Sequence, residues 1–211
     1  MSVRPKEEKE KSKQRILISA TKLFAQKGYN GASVREICKD AHANICMISY
    51  FWGGKEGLYR GIIENLVEKQ IQYAKSFLNF EIEPSSLPKN EQIKLLYTVV
   101  DKIIDFLYGE VISDDLFGFL LRTQQCRKVP ITSPAFVYFR KIVAAVFDKS
   151  MNNKDIIYKT NFIISQINSP RVLPAFSLEL LNQKTFTPED KEIIKKNAKI
   201  YIKALLDEEG K

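Results

Sequence analysis

An all-α fold is expected from three features of this sequence. Apolar residues recur at helical spacing along most of its length, and no stretch alternates apolar with polar as a half-buried strand would. Breakers at Gly28, Gly53-Gly54, Pro84, Pro88, Pro134 and Pro174 cut the periodic stretches into helix-sized lengths. The pattern divides into an N-terminal three-helix helix-turn-helix domain and a larger C-terminal helical domain.

The elements follow in order. Residues 1–11 alternate in charge without apolar periodicity and are expected to form a disordered arm. A first helix is predicted over Ser12–Lys27, where Ile16, Leu17, Ala20, Leu23 and Phe24 make one stripe, with Gly28 as its C-terminal cap. Ser33 then opens a second helix, and Glu36, three residues on, completes a capping box. Val34, Ile37, Cys38 and Ala41 form its inward face. The turn Ala41-His42-Ala43-Asn44 is short, and Asn44 is suited to cap a third helix. In that helix Ile48 and Trp52 lie four apart, so both are expected to face the second helix, leaving Ile45, Cys46, Ser49 and Tyr50 outward. Gly53-Gly54 ends it, and a long fourth helix is predicted from about Lys55 to Asn79.

The run 81–90, with two prolines and two serines, reads as a linker. Helices are predicted beyond it at about 91–108, 115–125, 135–150, 154–168 and 189–207. A break is expected at Pro130 and Pro134, and interruptions at Ser169-Pro170 and Pro174. The domain scheme is therefore an arm at 1–11, a helix-turn-helix domain at 12–58 linked through the helix at about 55–79, and a C-terminal domain at 59–211.

Two short helices joined by a tight turn, the second one exposed, describe a unit able to enter a major groove. Charge points the same way. The formal net charge is +8, and residues 1–80 carry 14 Lys and Arg against 8 Asp and Glu, while the remainder is nearly balanced. A basic N-terminal third suits an anionic partner at that end. Arg35 and Lys39 lie four apart on the exposed side of the second helix. A lysine opening the fourth helix works against the helix dipole, and a phosphate bound there would resolve the conflict, so Lys55 is a candidate phosphate contact. Glu7, Glu8 and Glu10 argue against a DNA-binding arm.

The stretch resembles the DNA-binding domain of TetR-type transcriptional regulators. The residues that carry the resemblance are Ser33-Val34-Arg35-Glu36-Ile37-Cys38, Ala41-His42-Ala43-Asn44, Tyr50-Phe51-Trp52 and Gly54-Lys55-Glu56-Gly57-Leu58. Asn44-Ile45 followed by Gly53 to Tyr59 is most similar to the CecR-like branch. The resemblance covers roughly the first third of the chain. It implies DNA contact by Ser33, Arg35, Asn44, Ile45, Cys46, Ser49, Tyr50, Phe51 and Lys55. Ser33 stands where the family holds a phosphate with a hydroxyl. Phe51 stands where it often has a histidine or tyrosine, and phenylalanine has no hydrogen bond to give. Ile45-Cys46 replaces a usual Lys-Gly pair, which favours apolar contact such as with a thymine methyl. The resemblance further implies a homodimer on a double-stranded, pseudo-palindromic operator, most simply as a ligand-responsive repressor, with an effector held in the C-terminal domain. Candidate lining residues there are Phe106, Phe117, Leu121, Arg122, Gln125, Phe136 and Tyr138, although aromatics at helical spacing are more often core. The last two helices are the expected dimer interface.

Enzyme chemistry is not expected. The single histidine, His42, has no clustered cysteines or carboxylates to make a metal site, and no P-loop, dinucleotide fingerprint or nucleophile elbow is present. No cofactor or metal is expected. Three scattered cysteines (Cys38, Cys46, Cys126) point away from a disulfide framework and toward the cytoplasm. No apolar run approaches the roughly 20 residues of a membrane span. The alternative reading is a helical ligand-binding or scaffolding protein whose N-terminal domain no longer binds DNA.

Overall fold

The computed structural model describes residues 3–126 and 133–209, with side chains from residue 7 to residue 208. Among the described residues there are nine α-helices and no strand: α1 (Val3–Gly31), α2 (Val34–Asp40), α3 (Cys46–Trp52), α4 (Lys55–Lys75), α5 (Lys89–Leu107), α6 (Asp114–Cys126), α7 (Pro134–Val146), α8 (Lys154–Val172) and α9 (Pro188–Glu209). Short 3-10 turns lie at Pro84–Ser86 and Pro174–Phe176. The fold class is the expected one. Pro130 lies outside the described residues.

The chain divides into two units. The first comprises residues 1–72 and 113–131, the second residues 73–112 and 132–211. This differs from a division near residue 58, because α6 belongs to the first unit. Phe119 of α6 is buried there, its ring 4.8 Å from that of Tyr59 and 6.3 Å from that of Phe24. A hydrogen-bond chain adds to the packing: the Thr123 hydroxyl donates to the Phe119 carbonyl (2.8 Å), leaving its oxygen to accept from the Tyr59 hydroxyl (2.6 Å). The apolar period of α6 requires a partner surface but does not name one. Around this seam Ile16, Ala20 and Phe24 of α1, Ile37 of α2, Ile48 of α3 and Leu58 of α4 are all but fully buried. Each of the Ile, Leu and Phe side chains contributes about 1.5–3 kcal/mol relative to an exposed position.

Several helix boundaries depart from expectation: α4 ends at Lys75 and α7 at Val146, each about a turn early, and three others differ in kind. The region expected to be a disordered arm is helical from Val3 onward. Glu and Lys are good helix formers, and Pro5 falls in the first turn, where its missing N–H breaks no bond. Gly28 does end the regular run of α1, with φ 70°, but Tyr29–Gly31 add a further turn beyond it. At the other end of the chain, α8 continues through Pro170 to Val172. The carbonyl of Gln166 would have bonded the N–H that Pro170 lacks. It accepts instead from the Ser169 hydroxyl at 3.3 Å.

In the second unit α5, α7, α8 and α9 enclose a core of Leu96, Val100 and Ile104, Phe139, Ile142 and Val143, Ile156, Ile163 and Ile167, and Ile202. Arg171 donates to the carbonyls of Leu107 (2.5 Å) and Ile112 (3.2 Å), satisfying main-chain acceptors at and beyond the end of α5. No described helix is long and apolar enough to cross a membrane.

Candidate nucleic-acid interface

The local sequence sets the helix-turn-helix in stages. Ser33 caps α2: its Oγ accepts from the Glu36 N–H (3.1 Å), and the Glu36 carboxylate accepts from the Ser33 N–H (3.0 Å). The second carboxylate oxygen of Glu36 lies 2.9 Å from Lys27 Nζ. Lys27, together with the Ser33 backbone and hydroxyl, holds the Glu36 carboxyl down at about 2. The box therefore stays charged through the neutral range. Arg35 and Lys39 are exposed on α2, while Ile37, Cys38 and Ala41 are buried.

The turn is tied from both sides. Arg15 Nε donates to the Ala41 carbonyl (3.1 Å), and the buried Ser19 hydroxyl donates to the Ile37 carbonyl (3.0 Å). His42 takes φ 48° there, a left-handed conformation unusual for a residue with a side chain. Asn44 Oδ1 accepts from the Cys46 N–H (2.9 Å), serving as the side-chain cap at the start of α3.

Of the sequence-predicted contacts on α3, Ile45, Cys46, Ser49 and Tyr50 all lie exposed at i, i+1, i+4 and i+5, which puts them on one face. Tyr50 is 70% exposed and Ile45 44%. Phe51 is half-buried and stands edge-on between neighbours, 5.0 Å from the Tyr50 ring and 5.4 Å from the Trp52 ring. Its place in this aromatic row is one of packing.

Trp52 packs against the core that holds Ile37 and Cys38 of α2, and it also packs on α4: a Cβ on Gly61 would stand 2.5 Å from the indole Nε1, and one on Gly57 would collide with the Trp52 carbonyl oxygen. Two glycines four apart on α4 thus admit the end of α3. Their spacing is the sequence signal for this contact. Gly53 (φ 69°) and Gly54 (φ 131°) supply the left-handed backbone between the two helices.

Lys55 opens α4 half-buried, with Nζ 4.6 Å above the centre of the Tyr29 ring. Tyr29 is not singled out by the sequence, and its ring also meets Tyr59 edge-on at 5.3 Å. Ser33, Arg35, Asn44, Ile45, Cys46, Ser49, Tyr50, Phe51 and Lys55 are thus all brought onto the first unit.

The candidate effector residues are divided between the two units. Phe117, Leu121, Arg122 and Gln125 lie on α6, in the first unit, because α6 packs there through Phe119 and Thr123. Phe106 is buried in the second unit, its ring 5.1 Å from that of Tyr73. Tyr138 spends its hydroxyl on the carbonyls of Asn79 and Ile82, and Phe136 is exposed. A cavity of about 310 Å³ in the second unit is lined by Glu83, Gln92, Lys141 and Asp148 among others, and by none of these seven. Among the described residues no group of three or more His, Cys, Asp or Glu is placed to hold a metal ion.

Residues 16–62, which include α2 and α3, match the family model described as bacterial regulatory proteins, tetR family. Two curated relatives align over part of the chain. One is described as the probable HTH-type transcriptional regulator YttP of Bacillus subtilis (strain 168), 34% identical over 110 residues, covering 49% of this chain and 52% of that protein. The other is the HTH-type transcriptional repressor NicS of Pseudomonas putida, 32% identical over 57 residues, covering 27% of each. The chain thus spans about half the length of the first and about a quarter of the second. Over nearly the whole chain the fold is similar to that of solved structures. A candidate fatty acid metabolism regulator of Clostridium perfringens superposes with a TM-score of 0.64 at 19% identity, covering 87% of this chain and 96% of that one. The TetR family transcriptional regulator PfmR of Thermus thermophilus does so with a TM-score of 0.56 at 13% identity, covering 88% and 96%. The match to the tetR family model is thus seated on the helix-turn-helix, and over most of the chain the fold is similar to that of these solved structures.

Proposed function

We propose that the protein is a DNA-binding transcriptional regulator that reads a pseudo-palindromic operator as a homodimer in the cytoplasm. The observation that carries this reading is the exposed face of α3. Ile45, Cys46, Ser49 and Tyr50 stand in the open on a helix held at its start by the Asn44 side chain and at its end by the Trp52 contact with α4. Burial in a core does not explain four solvent-facing side chains of that kind. They do suit base edges in a major groove, with Ile45 against a thymine methyl. Arg35, Lys39 and Lys55 supply cations on neighbouring elements for the phosphates.

Dimerisation is supported by apolar side chains left exposed on the last two helices. Tyr158 and Phe162 of α8 are each about half exposed, as are Ile193 and Ile200 of α9. Two copies paired through these faces would present two α3 helices to half-sites one helical turn or more apart.

The regulator acts as a ligand-responsive repressor. An effector held in the helical body stabilises conformations with lower operator affinity, and the loss of DNA binding equals its differential affinity for the two states. The test is a titration of labelled duplex DNA across a range of salt. A steep, linear fall of log affinity with log salt supports the reading. Absence of binding at low salt would favour a helical ligand-binding protein with a silent N-terminal unit.

A further inference from the structure

We infer that Lys9, on the N-terminal turns of α1, is a positioning and phosphate-contacting residue of the DNA interface. This rests on the DNA-binding reading above. The ammonium of Lys9 stands 5.4 Å from the centre of the ring of Tyr50, an outward side chain of α3 that is 70% exposed. A cation at that distance over an aromatic face is attracted by the ring quadrupole.

The helical state of this region makes the contact possible. Because α1 is continuous from Val3, Lys9 is held in register with Ser12 and Ile16, three and seven residues on and on the same side of the helix. Ser12 and Ile16 are both buried, and the Arg15 guanidinium bonds Ser12 Oγ (3.0 Å) and the Ala41 carbonyl of the turn (3.1 Å). The same face that anchors α1 to the helix-turn-helix therefore carries Lys9 to the recognition helix about one to two turns earlier.

The neighbouring acids do not pair with this cation along the helix. Residues one or two apart on a helix do not face each other, which excludes Glu7, Glu8 and Glu10. The positions that do flank Lys9 on its C-terminal side are Ser12 and Lys13. Lys9 thus confines the Tyr50 phenol on the reading face and adds a positive charge beside it, where a phosphate passing α3 would lie.

The test uses the full-length protein and a labelled random-sequence duplex, with wild type, Lys9→Gln, Lys9→Arg and Lys55→Ala compared over a salt series. For Lys9→Gln, the slope of log affinity against log salt is expected to become shallower by about 0.9 per protomer. Lys9→Arg, which keeps the cation over the ring, restores it. A merely structural lysine on an exposed helix would not move a salt slope. The inference is overturned if Lys9→Gln matches wild type in slope and affinity while Lys55→Ala weakens binding, or if Lys9→Arg fails to restore the slope. If wild type itself does not bind the duplex, the regulator reading falls and this inference falls with it, and the wild-type curve alone separates that outcome from the others.

Discussion

The main-chain carbonyl of Trp52 lies against Gly57 so closely that no Cβ fits between them, and the Trp52 indole covers Gly61 one turn further along α4. The end of the recognition helix is thereby set by the absence of two side chains. Gly57→Ala is expected to destabilise the protein, because the colliding atom is backbone and has no rotamer to escape to. Gly61→Ala meets the side of the indole and should cost about 1–3 kcal/mol from overpacking. Helix propensity alone would have made each change favourable by about 1 kcal/mol. Denaturant melts that show stabilisation for both would contradict the packing.

His42 holds a left-handed conformation in the turn between α2 and α3. His42→Gly removes the Cβ conflict and is expected to be neutral or to stabilise by up to about 1 kcal/mol. His42→Val, β-branched, should destabilise by more than that. Thermal melts of the two variants check the sign. Equal melting temperatures would mean that the turn relaxes.

These two sites show what can be read from residues alone. The capping box at Ser33 and Glu36, the cap at Asn44 and the outward set on α3 follow from local periodicity and local hydrogen bonding, and they are found in the structure as expected. What fails is the pairing of elements distant in sequence. An apolar stripe on α6 requires burial without saying against what, so its place beside Tyr59 and Phe24 is not legible in the residues. The contact of Trp52 with Gly57 and Gly61 of α4 likewise lies outside the periodicity of α3. The arm expected over residues 1–11 is helix because alternating Lys and Glu, though unable to form a core, are strong helix formers, and α1 already supplies a nucleus.

The Glu36 carboxyl is held at about 2, against an ordinary 4.5. A depressed folded-state value means stability that is fully present above the unfolded value and lost as pH falls through the folded one. The cap of α2 should accordingly weaken between about pH 4.5 and 2. Glu36→Gln is expected to lower stability at neutral pH and to flatten the acid limb of a stability-against-pH curve. An unchanged limb would remove Glu36 from the account.

Tyr158 and Phe162 stack on the outside of α8 with centroids 6.3 Å apart. If this face pairs two copies, Phe162→Glu should give a folded monomer, since a buried unpaired carboxylate at an interface is strongly unfavourable. Sedimentation at micromolar concentration reads the result. A wild-type monomer, or a dimeric variant, would place the interface elsewhere.

The most direct measurement is selection from random duplex DNA with wild type and a Tyr50→Ala, Lys55→Ala double variant side by side. The account predicts that wild type enriches a pseudo-palindrome and that the double variant does not recover it. Enrichment of nothing by wild type at low salt, or of the same sequence by both proteins, would contradict the assignment of α3 and the start of α4 as the reading surface.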